Sequence, residues 1–305
     1  LATGYGLETG LSLYRAWSIL SRSHCPHHCF RYNNCGKGSN LEMMYDIILI
    51  GAGPVGNHTA YRLAKLGYQV AVFEGKQAVG NKVCCTGIIS RECYNLFSSN
   101  DAVLREASSA KFFAPSGKYL KLETDSIQAC IIDRAAFDMA LAKRAREAGA
   151  TYFLQSEVVS VTPGRKDCQV EVSYRGQKQI FKARAVVLAC GFGSILPQSL
   201  GMGKIRNYLL GAQTEVNSQV NEVEVYFDQE LAPGGFAWLV PTYEGRGLAG
   251  IISRQDAQAF LKGLLSRLIA EGKIASDGFE IREEAIPLGV LPRTYGERIL
   301  AVGEA

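Results

Sequence analysis

No stretch of this 305-residue chain approaches the roughly 20 consecutive apolar residues that a membrane-spanning helix needs. An integral membrane segment is therefore not expected, which leaves a soluble protein or one held peripherally at a membrane. No Lys/Arg cluster stands out, and the net charge is only +4, so a nucleic-acid partner is not expected either. Nine cysteines are present, but they are scattered through strand-like and helix-like segments of a long chain. That is unlike a short secreted scaffold stapled by disulfides, and it favours reduced thiols in a cytoplasmic protein.

Residues 1–42 lack any sustained hydrophobic period. They begin with Leu1, and the first methionines are Met43 and Met44, next to where the regular pattern starts. A disordered or non-native N-terminal extension is the expectation for 1–42; a transit peptide is less well supported, because no clean amphipathic helix accompanies Arg15, Arg22 and Arg31. His24, Cys25, His27, His28, Cys29 and Cys35 suggest zinc at first sight. No second pair follows at a finger-like distance, so no metal site is expected.

What is present begins at "YDIILIGAGPVGNHTAYRLAKLGYQVAVFEGK", residues 45–76. Asp46–Ile50 reads as a buried strand, and Gly51, Gly53 and Gly56 form G-x-G-x-x-G. The first glycine makes the tight turn, the second admits a pyrophosphate and the third lets helix and strand approach. Pro54 suits the first helical turn, where its missing N–H costs nothing. Val70–Phe73 reads as the second strand and ends in Glu74, 23 positions after Gly51, where an acid that binds ribose hydroxyls is expected. The motif points to a dinucleotide but does not separate FAD from NAD. His58, just after the third glycine, is expected to be a packed or surface residue.

A simple nicotinamide-binding domain would continue with another helix and strand. This chain instead runs through a glycine-punctuated loop and helix (78–97) and a hairpin around Pro115-Ser116-Gly117. A strand, helix and strand follow over 128–164, then a hairpin (168–191) whose second arm is buried. An α/β fold follows, its parallel sheet interrupted by antiparallel excursions, rejoined by Val186–Ala189 and closed by Ile299–Val302. Residues 43–194, with 299–305, are expected to form the nucleotide-binding domain, and 195–298 a mostly antiparallel domain facing the substrate. The stripe Phe260, Leu264, Leu265, Leu268 marks a covering helix within 256–274.

Six segments in order, "GAGPVG…VFEGK", "NKVCCTGI", "IIDRAAFDMALAKRAREAGA", "VVLACG", "APGGFAWLVP" and "IPLGVLPRTYGERILAVGEA", resemble the geranylgeranyl reductase family across about residues 44–305. These are FAD-dependent flavoproteins with the para-hydroxybenzoate hydroxylase type of fold. The resemblance implies that Gly51, Gly53, Pro54 and Gly56 hold the FAD pyrophosphate and Glu74 its ribose. It places Lys82, Cys84 and Gly87 beside the flavin, with Cys84 matching the cysteine of the family's C-x-x-G. Arg134 resembles an arginine that supports the cofactor, Gly191 ends the buried strand, and Gly303-Glu304 matches the motif whose acid contacts the ribityl chain. The segment 233–241 resembles the signature lining the substrate cavity, which makes Trp238 a candidate to face substrate. It also implies that the chain stops inside its second FAD motif.

The implied activity is reduction of carbon–carbon double bonds in a prenyl or other lipid-like substrate, with Cys84 and Trp238 as catalytic candidates. NADPH or a ferredoxin-like protein would supply electrons. Some positions depart from the family. Cys190 stands where related hydroxylases carry an aspartate, Glu304 replaces an aspartate, Phe236 a tyrosine and Val240 a phenylalanine. The alternatives are a monooxygenase of the same fold, or a flavin-binding relative without turnover. Vicinal Cys84-Cys85 invites a redox reading, but a disulfide there would be strained, and buried thiols generally serve as small apolar side chains.

Overall fold

Three sheets organise the residues that the computed structural model describes: 44–81, 83–97, 100–276 and 278–305. They belong to one compact unit, Glu42–Ala305. The expectations for 1–42, the zinc-like cluster included, and for Lys82 lie outside the described residues.

The first sheet is built on β1 (Met44–Ile50), which runs parallel to β2 (Val70–Phe73) on one side and to β11 (Gln177–Leu188) on the other. Ile48 faces Ala71 across one ladder and Val186 across the other. Beyond β2 lies β8 (Thr151–Phe153), and beyond β11 lies β18 (Ile299–Ala301), both parallel. At the edge β17 (Tyr295–Gly296) pairs antiparallel with β18. The excursion β9 (Ser156–Pro163) and β10 (Cys168–Tyr174) folds back antiparallel onto the long β11. The central strands are apolar on both faces because both are covered. Ile48, Ala71, Phe73, Val186 and Leu188 pack into one cluster; Leu49, Val70, Val72 and Val187 face the other way.

That second cluster is completed by helices α1 (Pro54–Lys65) and α3 (Arg134–Glu147). Small residues on both, Ala60 and Ala64 against Ala142 and Ala145, let the helices lie close to each other and to the strands. Asp133 caps α3, its Oδ1 accepting from the N–H groups of Ala135 at 2.8 Å and Ala136 at 3.1 Å.

A second sheet has the order β16 (Arg282–Pro287), β12 (Tyr208–Asn217), β15 (Arg246–Ser253), β14 (Phe236–Pro241), β13 (Val223–Tyr226), β5 (Ser109–Phe113) and β6 (Tyr119–Glu123). Its neighbours are antiparallel except β13 and β5. The hairpin 109–123, early in the chain, thus joins a sheet formed mainly by residues after 207. No local pattern announces β16, whose sequence REEAIP is charged and half exposed; it forms because β12 offers it an edge. Helix α5 (Ala257–Ala270) covers one face of this sheet with Leu261, Leu264, Leu265 and Leu268; Phe260, at the margin of the stripe, is only half buried.

The third sheet, β3 (Ile88–Ser90), β7 (Ala129–Ile132) and β4 (Val103–Ala107), wedges between the other two, Ile131 packing on Trp238 and Val240. Short helices α2 (Arg91–Phe97) and α4 (Leu196–Ser199) and a 3-10 turn at Asn100–Ala102 complete the described elements. No described helix is long and apolar enough to cross a membrane.

Candidate active site

The carboxyl ends of β1, β2, β11 and β18 converge, which is where ligands of open α/β sheets bind. Each glycine after β1 has a distinct task there. Gly51 has φ +105°, and a Cβ on it would lie 2.2 Å from the Ala189 carbonyl oxygen. A Cβ on Gly56 would lie 2.1 Å from the Gly51 oxygen, so α1 could not sit this close to β1 with any other residue. Gly53 is the opposite case: nothing lies within 4 Å of the place its Cβ would take. It is also the N-cap of α1, with no side chain capping the helix. A helix start left bare beside open space is suited to an anion.

Glu74 is held in place before any ligand arrives. Its Oε2 accepts from the Ala52 N–H and its Oε1 from the Lys76 N–H, both at 2.9 Å. Asn57, fully buried on α1, braces the same loop. Its Nδ2 donates to the carbonyls of Ala52 at 2.8 Å and Asp138 at 3.1 Å, and its Oδ1 accepts from the Tyr152 hydroxyl at 2.7 Å. Sequence reasoning passed over Asn57; a polar residue on the inward stripe of a helix was the available signal.

Facing these strand ends is a cavity of about 590 Å³, a size typical of small-molecule sites. Gly51, Gly53, Pro54, Glu74 and Glu304 line it from the first sheet, together with Gly191 at the end of β11. From the other side come Cys84, Arg134 and Trp238. Three expected positions stand behind this surface. Gly56 packs against Gly51; Gly87, at φ +73°, lies so close to β7 that a Cβ would be 2.2 Å from the Ile132 oxygen; Gly303, also at φ +73°, turns the chain beside Val55. Further lining residues were not foreseen: Lys76, Asp138, Gln213, and Glu284 with Ile286 on β16. Lys76 and Asp138 belong to the segments that carry Glu74 and Arg134; only the pairing of β16 with β12, the strand of Gln213, brings Glu284 and Ile286 here.

Gln213 ties the two halves of the wall together, its Nε2 donating to the Cys85 carbonyl at 3.0 Å. Arg134, the first residue of α3, pairs with Asp138 one turn later at 3.4 Å. Asp138 is nearly buried; desolvation raises its pKa and the guanidinium only partly offsets that. Cys84 donates to the Arg282 carbonyl, Sγ to O 3.7 Å. Burial, then the nearby Glu284 carboxylate, pushes its thiol up to about 11. Cys84 is therefore a protonated thiol at neutral pH. Alkylation of Cys84 by iodoacetamide at pH 8, followed by peptide mass spectrometry, should be roughly a hundredfold slower than for a free thiol and still be rising at pH 10. A plateau near pH 9 would contradict this. Cys190 likewise has its pKa raised by burial, and all six described cysteines are free.

Trp238 is 8% exposed and packs against Gly250, Ile131 and Val240. Its indole Nε1–H is buried without a hydrogen-bond partner among the described residues. His58, its ring edge-on to Phe97, has a buried Nδ1 without a partner among the described residues, and burial lowers its pKa; it packs rather than faces the cavity. No group of three or more potential metal ligands occurs among the described residues.

The model of the pyridine nucleotide-disulphide oxidoreductase family matches residues 45–230. Digeranylgeranylglycerophospholipid reductase 2 of Methanopyrus kandleri is 32% identical over 285 residues, spanning 86% of this chain and 70% of the relative. The chain belongs to the geranylgeranyl reductase family of FAD-dependent oxidoreductases. The digeranylgeranylglycerophospholipid reductase of Methanocaldococcus jannaschii is 28% identical, over 87% of this chain and 71% of its own length. The crystal structure of a geranylgeranyl bacteriochlorophyll reductase-like protein from Thermoplasma acidophilum superposes with a TM-score of 0.78 at 21% identity, covering 86% of this chain and 71% of that one. The p-nitrophenol 4-monooxygenase of Pseudomonas putida gives 0.71 at 14%, covering 87% and 73%. At these identities the two structures establish the fold, which is that of the FAD-dependent hydroxylases and reductases.

Proposed function

We propose that this protein reduces carbon–carbon double bonds of a prenyl or lipid-like substrate with FAD as its cofactor. The observation that carries the reading is the cavity in which the dinucleotide-binding strand ends face Cys84 and Trp238. The residues present fit FAD. The bare start of α1 and the open space at Gly53 suit its pyrophosphate, and Glu74 is set to accept from ribose hydroxyls. Glu304, one methylene longer than the aspartate common in the family, lines the cavity and would offer its carboxylate to a ribityl hydroxyl. Bound FAD supplies hydride chemistry.

The protein's own residues do the rest. Arg134 brings a cation to the cavity, anchored by Asp138. Gln213 fixes the loop that carries Cys84. The Cys84 thiol, protonated at neutral pH, holds a proton at Sγ that can be delivered to a substrate carbon. Trp238 forms an apolar wall that positions an alkene and excludes water. In this reading residues 44–108, 124–194 and 299–305 serve the cofactor, and 195–298 with the hairpin 109–123 serve the substrate. Reducing equivalents would come from NADPH or a ferredoxin-like partner, and the protein would work in the cytoplasm, either free or held peripherally at a membrane.

The test is a visible spectrum of the purified chain followed by anaerobic incubation of its reduced form with a prenyl lipid. Flavin bands that bleach on reduction, and product heavier by two hydrogens per double bond, are expected. Oxygen uptake with a hydroxylated product would instead establish a monooxygenase, and a bound flavin that converts nothing would leave a binding module.

A further inference from the structure

Trp238 is the buried end of a longer apolar row. Across the second sheet, Trp238 lies opposite Val225, Val225 opposite Phe112, and Phe112 opposite Leu120. These four share one face, because side chains of paired residues point the same way. Phe227 and Phe236 complete the row. Ring centroids are 6.3 Å apart for Phe112 and Phe227, 6.0 Å for Phe227 and Phe236, and 5.9 Å for Phe236 and Trp238. Exposure falls along it, from 62% at Leu120 and 49% at Phe227 to 8% at Trp238. Leu122, on the same face of β6 as Leu120, is 52% exposed. The opposite face of the same sheet, with Tyr226, Ala237 and Leu239, is buried in the cluster that α5 completes.

Edge strands are usually blunted by charge. β6 does carry Lys121 and Glu123, which pair with each other at 3.1 Å, but they alternate with the leucines and leave the row apolar. Apart from the indole N–H of Trp238 at its buried end, the side chains along the row offer neither donor nor acceptor, and the strands' backbone groups between β5 and β14 are engaged in the sheet. A polypeptide laid there would leave its own polar groups without partners. A hydrocarbon chain needs none. The row is also continuous with the cavity, since its last ring is the cavity wall.

We infer that the row Leu120, Phe112, Phe227, Phe236 is the path on which the hydrocarbon chain of a long-chain lipid lies, entering over β6 and ending at Trp238. The inference rests on the function proposed above and adds where the substrate's tail runs. Each methylene laid on the row raises affinity about fourfold until the row is full.

The test uses the full chain and saturated hexadecyl phosphates carrying a diazirine at one of several chain positions. These probes cannot be reduced, so turnover plays no part. Saturable photolabelling is expected within 109–123 and at Phe227 and Phe236, with the labelled residue shifting from β6 towards Trp238 as the diazirine moves along the chain. Phe227→Asp should weaken labelling at least tenfold and Phe227→Leu should restore it, with the flavin spectrum the same in both. Non-saturable labelling, labelling confined to other surfaces, or insensitivity to Phe227→Asp would overturn the inference. So would Leu120→Glu changing only the oligomeric state, which would make the face a contact between two copies. A chain that labels in order yet reduces no alkene keeps this inference and loses the reductase reading. One that reduces prenyl lipids without ordered labelling does the reverse.

Discussion

Gly53→Val is expected to leave a folded protein that no longer holds flavin. The backbone at Gly53 is extended, φ −73° and ψ −178°, which valine adopts readily, and the added side chain meets no protein atom within 4 Å of its Cβ. Loss of a good N-cap residue costs about 1 kcal/mol, a shift of a few degrees in Tm for a chain of this size. The methyl groups, however, would stand in the space assigned to the pyrophosphate at the start of α1. Flavin affinity should fall at least a hundredfold, equivalent to about 2.7 kcal/mol. Gly56→Val is the contrasting variant. Its Cβ would fall 2.1 Å from the Gly51 oxygen, a backbone atom in the tightest part of the loop, so it should lower stability by several kcal/mol whether or not flavin is added. Differential scanning calorimetry and flavin titration on both variants separate the two tasks. Tight flavin binding by Gly53→Val would refute the proposed pyrophosphate position.

Gly250→Ala should do to the substrate side what Gly53→Val does to the cofactor side. A Cβ on Gly250 would lie 2.3 Å from Cζ2, 2.4 Å from Cε2 and 2.7 Å from Nε1 of the Trp238 indole. The strand backbone cannot retreat, since β15 is paired on both sides by β12 and β14. The indole must move off its sheet position and change the wall of the cavity. Overpacking of this kind costs about 1–3 kcal/mol of stability. Misplacing a reacting group by an ångström costs about a hundredfold in rate, so alkene reduction should fall that far with the flavin spectrum unchanged. The three clashing atoms belong to the five-membered and outer rings of the indole. Adding Trp238→Phe to Gly250→Ala removes them, and stability should recover. Rates unaffected by Gly250→Ala would show that Trp238 does not position substrate.

The cofactor end of the site was legible in the sequence because its determinants are local. Gly51, Gly53, Gly56 and Glu74 lie on one strand–loop–helix–strand unit, and their spacing alone carries the geometry. The parallel return of Val186 to Ile48 and of Leu300 to Val187 was also readable, because strands covered on both faces must be apolar runs. The Cys84 environment was not readable. Its raised pKa follows from burial and from Glu284, 200 residues away.

By itself, the sequence determined an α/β fold opening on a dinucleotide site, with a second antiparallel region, and a resemblance that identified the family. Short-range spacing and hydrophobic period suffice for that. Only the tertiary structure decided that hairpin 109–123 extends the substrate sheet, that β16 supplies Glu284 and Ile286 to the cavity, and that Phe112, Phe227 and Phe236 line up with Trp238. Each of these depends on which edge a strand finds to pair with. That choice is made by hydrogen bonds and packing between segments far apart in the chain, and no local pattern records it.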